Sequence, residues 1–370
     1  MSVSLKSLYR VVLNKHCHIQ AFRSGVVDGK KLIWPNTPYI MTGTYVAKLS
    51  EGDEGTGVPT IKECVELPSR PVTADTQRLL VFFPGGIGDV IALKPVLQKF
   101  KRERPEVSVA VVSTVQDSLF IGDTVSLYDY PVTETIANHY DAWVNIADMD
   151  RASVACELPV TFAKYVGVEA PTEKPSIAVD PQIACAMSEY IRDRKRPAVG
   201  IHIASQSHFR SIPPALGALT MMELVSRGCD CYVVGGPQDR MSFIKDGKPS
   251  DPPDHIYDMT QFLGPMEYYM GFLTQLDVLL TADTGALHIG GALSVPTLGV
   301  FGMTDGSQRT GYYPSVRYLQ AEKECSPCER IAESVPCDNA NCAAIAEIPY
   351  QLLAEKIMEI VDYEKSNADC

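Results

Sequence analysis

The feature that most constrains the fold is a regular alternation of strand-like and helix-like segments that begins at residue 79. Short, continuously apolar runs are separated by segments with helical spacing. The runs lie at 79–83, 107–113, 144–146, 198–203, 231–234, 278–281 and 297–301. Strands of this kind are typical of parallel sheets that helices cover on both faces. The sequence therefore predicts an α/β protein with two doubly wound, Rossmann-like domains that face a cleft.

The length of the chain also favours more than one domain. A chain of 370 residues is too long for one ordinary hydrophobic core and suits two domains with a small addition. The two strand–helix series are separated at 169–181 by a stretch with prolines and charged residues, which we interpret as a hinge. We predict two Rossmann-like domains at 78–175 and 176–345, followed by a helix at 346–370 that packs back on the first of them.

Residues 1–77 have a different residue pattern from the rest of the chain. Short strands are predicted at 11–13, 32–34 and 44–49, and the links between them contain glycine and proline. We interpret this segment as a small β-rich appendage whose role the sequence does not reveal.

The charge balance limits the partners of the chain. There are 33 basic and 45 acidic residues, which gives a formal net charge of −12. This balance disfavours nucleic acid and anionic lipid as partners, because both attract clustered Lys and Arg. The apolar stretches are too short to span a bilayer, and residues 1–20 lack the sustained apolar block of a secretory signal. We therefore expect a cytoplasmic protein.

The first candidate site is a glycine-rich turn at residues 83–90. Gly85, Gly86 and Gly88 permit a tight turn between a strand and a helix, where backbone N–H groups favour anions. Asp89 has two interpretations. It caps the helix, or it takes a proton from a substrate, because ligands bind at the carboxyl ends of strands in open α/β sheets.

The second candidate site is a polar turn and helix start at residues 281–292. The first amides of such a helix face whatever lies in front of it, and His288, one turn further on, can still reach a ligand there. A lone histidine in a helix is, however, often structural. The candidate ligand-binding residues of this turn and of the next strand end are Asp283, Thr284, Gly285, His288, Thr304 and Asp305.

Three motifs occur in the order GGIGDV, GGPQD and ADTGALHIGGALSVPTLGVFGMTD. In order and spacing they resemble the ADP-heptose:lipopolysaccharide heptosyltransferase family, glycosyltransferase family 9, over residues 79–361. The resemblance implies the GT-B architecture, with 78–175 as the acceptor domain and 176–345 as the nucleotide-sugar donor domain. It further implies an inverting transferase that needs no metal or other cofactor for catalysis.

The resemblance also implies roles for single residues. Asp89 matches the proposed general base, and Arg210 matches a basic residue that suits the phosphates of the donor. Asp239, which follows Gly236, matches an acidic position that faces the nucleotide ribose. ADP-heptose is the first choice of donor, the acceptor is a saccharide, a lipid-linked sugar or a protein, and a homo-oligomer is possible.

One position departs from the family pattern. The family commonly has Arg or Lys just before the first glycine turn, whereas Phe83 and Pro84 lie there in this chain. Two alternatives therefore stay open: a catalytically silent nucleotide-sugar-binding protein that acts in assembly, and a transferase acting on protein or modified nucleic acid.

The third candidate site is a cysteine cluster formed by Cys325, Cys328, Cys337 and Cys342, with the spacing C-x2-C-x8-C-x4-C. Four thiolates at this spacing suit a tetrahedral zinc or iron ion with a structural role. The alternative is a reduced, loop-borne cluster or an occasional disulfide. Family members often have comparable cysteines without depending on metal, and the cluster also resembles the iron-bound cysteine finger of the autotransporter heptosyltransferases.

Overall fold

The computed structural model describes residues 4, 7–20, 30–50, 61–115, 117–120, 123–146, 157–192, 195–240, 243–245, 248–328 and 342–368. The chain divides into two compact units, Met1–Glu173 and Lys174–Cys370. The division lies next to the domain boundary that the sequence predicted after residue 175. Over the described ranges, no helix is both long enough and apolar enough to cross a membrane.

The first unit contains ten strands, four α-helices and a 3₁₀ helix (Asp117–Phe120) in its described part. The strands are β1 (Leu8–Leu13), β2 (Cys17–Gln20), β3 (Lys30–Ile33), β4 (Tyr39–Thr42), β5 (Ile61–Glu66), β6 (Arg78–Phe82), β7 (Ser108–Ser113), β8 (Ser126–Asp129), β9 (Val132–Thr133) and β10 (Ala142–Asn145). The helices are α1 (Gly43–Ser50), α2 (Ile87–Glu103), α3 (Glu134–Ala137) and α4 (Leu158–Val166).

A four-stranded parallel sheet in the order β10-β6-β7-β8 forms the Rossmann-like part of the first unit. The first of these strands in the chain, β6, lies inside the sheet, with β7 and β8 on one side and β10 on the other. The strand order therefore reverses at β6. The glycine turn that contains Asp89 follows β6 and leads into α2, so this turn lies at the point where open α/β sheets bind ligands.

The β-rich N-terminal segment forms an antiparallel sheet in the order β5-β1-β4-β9. It shares one hydrophobic core with the parallel sheet, because Leu13 and Ile40 belong to the same buried cluster as Leu80 and Phe82. The edge strand β9 comes from beyond residue 77. The segment is thus β-rich as predicted, but it is part of the first unit. A strand pattern shows which face is apolar and cannot show what covers that face.

The strand predicted at 44–49 is wrong, because these residues lie in α1. Thr44, Tyr45 and Val46 favour strands as residue types. In the fold, Val46 is fully buried and the Tyr45 ring lies 4.6 Å from the ring of Tyr130. Tertiary contacts of this kind outweigh differences in propensity of a few tenths of a kcal/mol per residue.

The second unit contains eight strands, seven α-helices and a 3₁₀ helix (Pro237–Asp239) in its described part. The strands are β11 (Ala198–His202), β12 (Asp230–Val233), β13 (Phe243–Lys245), β14 (Lys248–Ser250), β15 (Ile256–Asp258), β16 (Val278–Ala282), β17 (Thr297–Phe301) and β18 (Val316–Gln320). The helices are α5 (Pro181–Ser188), α6 (Pro214–Ser226), α7 (Met266–Leu273), α8 (Gly285–Ala292), α9 (Gly306–Thr310), α10 (Ala343–Ala346) and α11 (Tyr350–Ala368).

The second unit is built on a six-stranded parallel sheet in the order β15-β12-β11-β16-β17-β18. Numbered along the chain, these strands have the order 3-2-1-4-5-6 of a dinucleotide-binding Rossmann sheet. The order reverses between β11 and β16, and the loops after these two strands leave in opposite directions. The topology therefore places a ligand crevice at the carboxyl ends of β11 and β16.

The last helix, α11, belongs to the second unit. Leu353, Ile357 and Ile360 lie on its buried face and join the core cluster of the second sheet. The helix contacts α6 and β16. The prediction that it packs back on the first domain is therefore corrected, because the helical spacing of its apolar residues indicated a buried face without identifying the surface that it meets.

Candidate functional site

The switch point of the second sheet brings together loops that are far apart in the chain. Ser205, in the loop after β11, donates a hydrogen bond from Oγ to the backbone carbonyl of Asp283, which follows β16, at 3.0 Å. The backbone N–H of Ser205 in turn donates to Ser211 Oγ at 2.9 Å. The two loops on either side of the crevice are thus linked directly.

Asp283 is the centre of the polar groups in this crevice. Thr304 Oγ1 donates to Asp283 Oδ2 at 2.7 Å, and Arg210 Nη1 lies 3.6 Å from the same oxygen. The Asp283 side chain is 5% exposed, whereas that of Arg210 is 29% exposed. The carboxylate therefore holds a guanidinium group that still reaches solvent, where its remaining N–H groups suit an anion. These three predicted site residues lie together in the structure, and their contact with a donor stays a prediction.

The helix start beside Asp283 leaves its first amides without a side-chain cap. Thr284 has the extended backbone of an N-cap residue, yet its side chain makes no capping hydrogen bond to α8. Thr284 and Gly285 are half-buried. The Arg210 guanidinium lies 3.6 Å from Asp283, the residue just before this N-cap. The guanidinium and the positive end of the α8 dipole together favour a negatively charged ligand.

His288 lies in the first turn of α8 and is buried, with 6% of its surface exposed. Its Nδ1 lies 3.3 Å from the hydroxyl of Tyr313 and 3.5 Å from that of Tyr312. Both tyrosines are buried as well. The imidazole is therefore held in place by two tyrosine hydroxyl groups, a pairing that no local sequence pattern indicates. The contact of His288 with a donor stays a prediction.

The environment of Asp239 differs from the one predicted. The residue is fully buried. Its Oδ1 accepts from the backbone N–H groups of Ile203 at 2.9 Å and Ala204 at 2.7 Å, and its Oδ2 accepts from that of Gly236 at 3.1 Å. With both oxygens used and no exposed surface, this carboxylate ties the loop after β11 to the loop after β12. This is a correction of the predicted contact with the nucleotide ribose.

Gly235 is required by the same arrangement. Its φ of +119° lies in the left-handed region, and a Cβ at this position would come within 2.3 Å of Asp239 Oδ2 and 2.8 Å of His202 Nδ1. A side chain here therefore both strains the backbone and displaces the carboxylate.

His202 and Tyr269 were not among the predicted site residues. The Tyr269 hydroxyl lies 3.1 Å from His202 Nδ1, and both residues are buried. The available signal was the position of His202, which ends the apolar strand beside the switch point. Tyr269 lies 67 residues further along the chain, so its contact with His202 had no local signal.

Burial lowers the pKa of His202 below its ordinary value, because the charged imidazole would lose its water. The Asp239 carboxylate, whose Oδ1 lies 3.9 Å from His202 Nε2, acts in the opposite direction. Burial also raises the pKa of Tyr269 well above its ordinary value. His202 is therefore a neutral histidine in the folded protein at neutral pH.

This neutral histidine predicts a loss of stability in mild acid. Below the unfolded pKa of about 6.5, the unfolded chain binds a proton that the folded chain does not, so the free energy of unfolding falls as the pH decreases. The slope from this one group is at most about 1.4 kcal/mol per pH unit. Urea unfolding between pH 7.5 and 5.5 measures it. His202→Gln should show a shallower fall than the wild type, and the exposed control His208→Gln should keep the wild-type slope. Equal slopes in all three proteins would contradict the assignment.

The glycine turn of the first unit contains a capping hydrogen bond and follows a buried aromatic residue. Gly86 N donates to Asp89 Oδ2 at 3.3 Å, so the carboxylate caps the N-terminus of α2 while it stays half-buried. Phe83 is fully buried, and its ring lies 5.2 Å from that of Phe162. The position where the resemblance led us to expect a basic residue is thus part of the hydrophobic core.

The remaining predicted donor residue is Asp305. Its Oδ1 accepts from the backbone N–H of Ser307 at 2.8 Å and from Ser307 Oγ at 2.7 Å, which caps α9. A contact of Asp305 with a donor stays a prediction, as do the contacts predicted for Gly85, Gly86, Gly88 and Gly236.

The described cysteines of the predicted cluster do not form a metal site. Cys325 is exposed, Cys328 is half-buried and Cys342 is buried. Cys337 lies outside the described residues. In the part of the chain that the structure describes, no group of three His, Cys, Asp or Glu side chains is placed to hold a metal ion. The four-cysteine site therefore stays a prediction.

Several solved structures share this fold. E. coli ADP-heptose lps heptosyltransferase II is 11% identical, with a TM-score of 0.58 over 78% of this chain and 99% of that chain. A glycosyl transferase family 9 protein from Veillonella parvula is 14% identical, with a TM-score of 0.57 over 79% of this chain and 99% of that chain. TibC, an iron-containing dodecameric glycosyltransferase from enterotoxigenic E. coli, is 12% identical, with a TM-score of 0.52 over 88% of this chain and 81% of that chain.

These structural matches show that the fold is GT-B-like. No curated protein matches this chain in sequence. A sequence model of the family described as glycosyltransferase family 9 (heptosyltransferase) matches residues 141–338, which is more than half of the chain and includes Arg210, Asp283 and Thr304. The chain is therefore a glycosyltransferase and belongs to family 9, the heptosyltransferase family.

Proposed function

We propose that this glycosyltransferase moves a sugar from a nucleoside diphosphate sugar to an acceptor hydroxyl with inversion at the anomeric carbon. The observation that carries the proposal is the meeting of Arg210, Asp283 and Thr304 beside the start of α8, at the switch point of the second sheet. Rossmann sheets bind nucleotides at this point. A diphosphate is the ligand that a guanidinium group and helix amides recognise together.

In the proposed reaction, the acceptor oxygen attacks the anomeric carbon from the face opposite the diphosphate. The new C–O bond forms as the bond between the anomeric carbon and the phosphate oxygen breaks, and its electron pair leaves with the nucleoside diphosphate. Arg210 and the amides of α8 stabilise the charge that develops on this leaving group. Asp283 and Thr304 act through Arg210, because they fix the orientation of its guanidinium group.

The proton of the acceptor hydroxyl goes to Asp89 in this scheme. Asp89 follows β6, at the switch point of the first sheet, and its half-buried carboxylate stays within reach of solvent. A carboxylate that takes the proton as the new bond forms contributes about 10²- to 10⁴-fold to the rate of such reactions.

ADP-heptose is the donor that we propose to test first. The structure of TibC in complex with ADP-D-beta-D-heptose, 13% identical with a TM-score of 0.50, covers 88% of this chain and 80% of that chain. It supports the choice as a fold relative of this chain. For the acceptor, we propose a saccharide, a lipid-linked sugar or a protein side chain.

Calorimetry with ADP tests the donor site. The wild type should bind ADP, and Arg210→Ala should weaken binding about 10- to 100-fold, because a hydrogen bond to a charged group contributes about 1.5–3 kcal/mol. The matched control is Arg227→Ala, which removes an arginine at the end of α6, on the amino edge of the sheet, and should bind ADP like the wild type.

Two outcomes would contradict the proposal. A wild-type protein that is not stabilised against heat by ADP, GDP or UDP would rule out the nucleotide site, since a bound ligand raises the melting temperature by mass action. A protein that binds ADP-heptose tightly and never releases ADP with saccharide, lipid-linked or protein acceptors would instead be a nucleotide-sugar-binding protein without transfer activity.

A further inference from the structure

The turn at residues 302–306, which contains Thr304, is bonded at both ends by the side chain of Gln320. Gln320, the last residue of β18, donates from Nε2 to the backbone carbonyl of Gly302 at 3.3 Å. Its Oε1 accepts from the backbone N–H of Gly306 at 3.1 Å. One amide group therefore bonds both ends of the turn and fixes their separation.

The same turn is the docking surface for the segment that contains Cys325 and Cys328. Ser326 Oγ donates to the carbonyl of Gly302 at 2.7 Å and accepts from Gln320 Nε2 at 2.9 Å. Cys328 Sγ lies 3.8 Å from the carbonyl oxygen of Met303. Gln320 and Ser326 thus share one acceptor, and they connect the cysteine segment to the turn through a closed set of hydrogen bonds.

The turn has little room to move. A Cβ on Gly302 would lie 2.7 Å from Ile345 Cγ1 and 2.8 Å from Cys342 Sγ, so α10 and the residue before it pack directly on the backbone. Thr304 is 3% exposed. Packed interiors transmit displacements because they have few voids into which atoms can move.

We propose that Gln320 is a positioning residue. It fixes the position of Thr304 relative to Asp283 and couples that position to the segment at 325–328. The inference rests on the proposed function, because Asp283 and Thr304 are taken to direct Arg210 toward a diphosphate. The Thr304–Asp283 hydrogen bond is 2.7 Å long, and a shift of the turn by about 1 Å would take it outside the usual range for hydroxyl donors. ADP binding and docking of the segment at 325–328 are then coupled. Docking changes the affinity for ADP by the same factor by which ADP changes the docking equilibrium.

ADP binding by Gln320→Leu tests the link to the ligand site. This variant removes both hydrogen-bonding atoms at similar size and should weaken ADP binding at least about fivefold. Ser326→Ala, which keeps Gln320, should have a smaller effect in the same direction. Gln275→Leu removes a glutamine at the end of α7, in the same unit, and should bind ADP like the wild type.

A double-mutant cycle separates positioning from general support of the fold. Thr304→Val removes the hydroxyl through which Gln320 is proposed to act. In that background, Gln320→Leu should change the dissociation constant of ADP by less than about twofold. If Gln320→Leu weakens ADP binding equally with and without the Thr304 hydroxyl, its role is purely structural and the proposal is overturned.

Thiol labelling tests the network first without nucleotide and then with ADP. Gln320→Leu should raise the rate at which iodoacetamide modifies Cys328, with the exposed Cys185 on α5 as the internal reference. Saturating ADP should lower the Cys328 rate in the wild type and leave it unchanged in Thr304→Val. A wild type that binds none of ADP, GDP and UDP would refute the proposed function. If the wild type binds ADP while Gln320→Leu neither weakens this binding nor alters Cys328 labelling, the inference about Gln320 is refuted and the proposed function stands.

Discussion

Replacing Asp89 with asparagine (Asp89→Asn) is expected to lower sugar transfer about 10²- to 10⁴-fold, the contribution of a general base. Asparagine has nearly the same shape, and its side-chain oxygen can still accept the hydrogen bond from Gly86 N that caps α2. The fold of the first unit should therefore be kept. What is lost is the ability to take the proton of the acceptor hydroxyl.

The measurement is the release of ADP from labelled ADP-heptose, with acceptor fractions and with water alone. ADP affinity should stay within about twofold of the wild type, because Arg210 and Asp283 lie in the other unit. Asp75→Asn, which changes an exposed aspartate of the first unit, is the matched control and should transfer normally. Turnover by Asp89→Asn at the wild-type rate would remove Asp89 from the mechanism and leave the donor site unaffected.

The second large effect concerns stability. Asp239→Ala removes the acceptor of three backbone N–H groups, those of Ile203, Ala204 and Gly236. A buried donor left without a partner costs about 1–3 kcal/mol. We therefore expect the free energy of unfolding of the second unit to fall by about 3–5 kcal/mol. Asp239→Asn keeps an oxygen for two of the three donors and should lie between the alanine variant and the wild type.

Urea unfolding measures this effect, with the exposed Asp254→Ala as the control that should match the wild type. Calorimetry with ADP under folding conditions distinguishes the two roles considered for Asp239. An Asp239→Ala protein of wild-type stability that binds ADP much more weakly would support the ribose contact that the sequence predicted and contradict the tie between loops.

The sequence predicted the parallel sheets because their signal is local. A strand that is buried on both faces needs a continuous apolar run, and the helices between strands need one apolar face. The turn after β6 was also predictable, because a tight strand-to-helix turn leaves a short glycine-rich pattern. The exception was α1, whose strand-forming residues are helical because the core of the first unit accommodates Val46 in that form.

The candidate site was predictable as a set of residues and not as an arrangement. Arg210, Asp283 and Thr304 each follow a strand of the same sheet, so their meeting at its carboxyl edge could be expected. Asp239 fits the same rule and nevertheless turns inward, because three backbone N–H groups of two loops converge on it. No local pattern records such a convergence.

Local order along this chain was set by the sequence itself: where strands and helices alternate, where turns need glycine, and which polar residues end the strands. The tertiary structure alone decided that Ser205 meets Asp283 across 78 positions, that Tyr269 holds His202, and that Gln320 braces the turn of Thr304. The physical reason is the range of the interactions. Periodicity and propensity act over a few neighbouring residues, whereas hydrogen bonds and packing at a switch point join loops whose proximity depends on the strand order of the whole sheet.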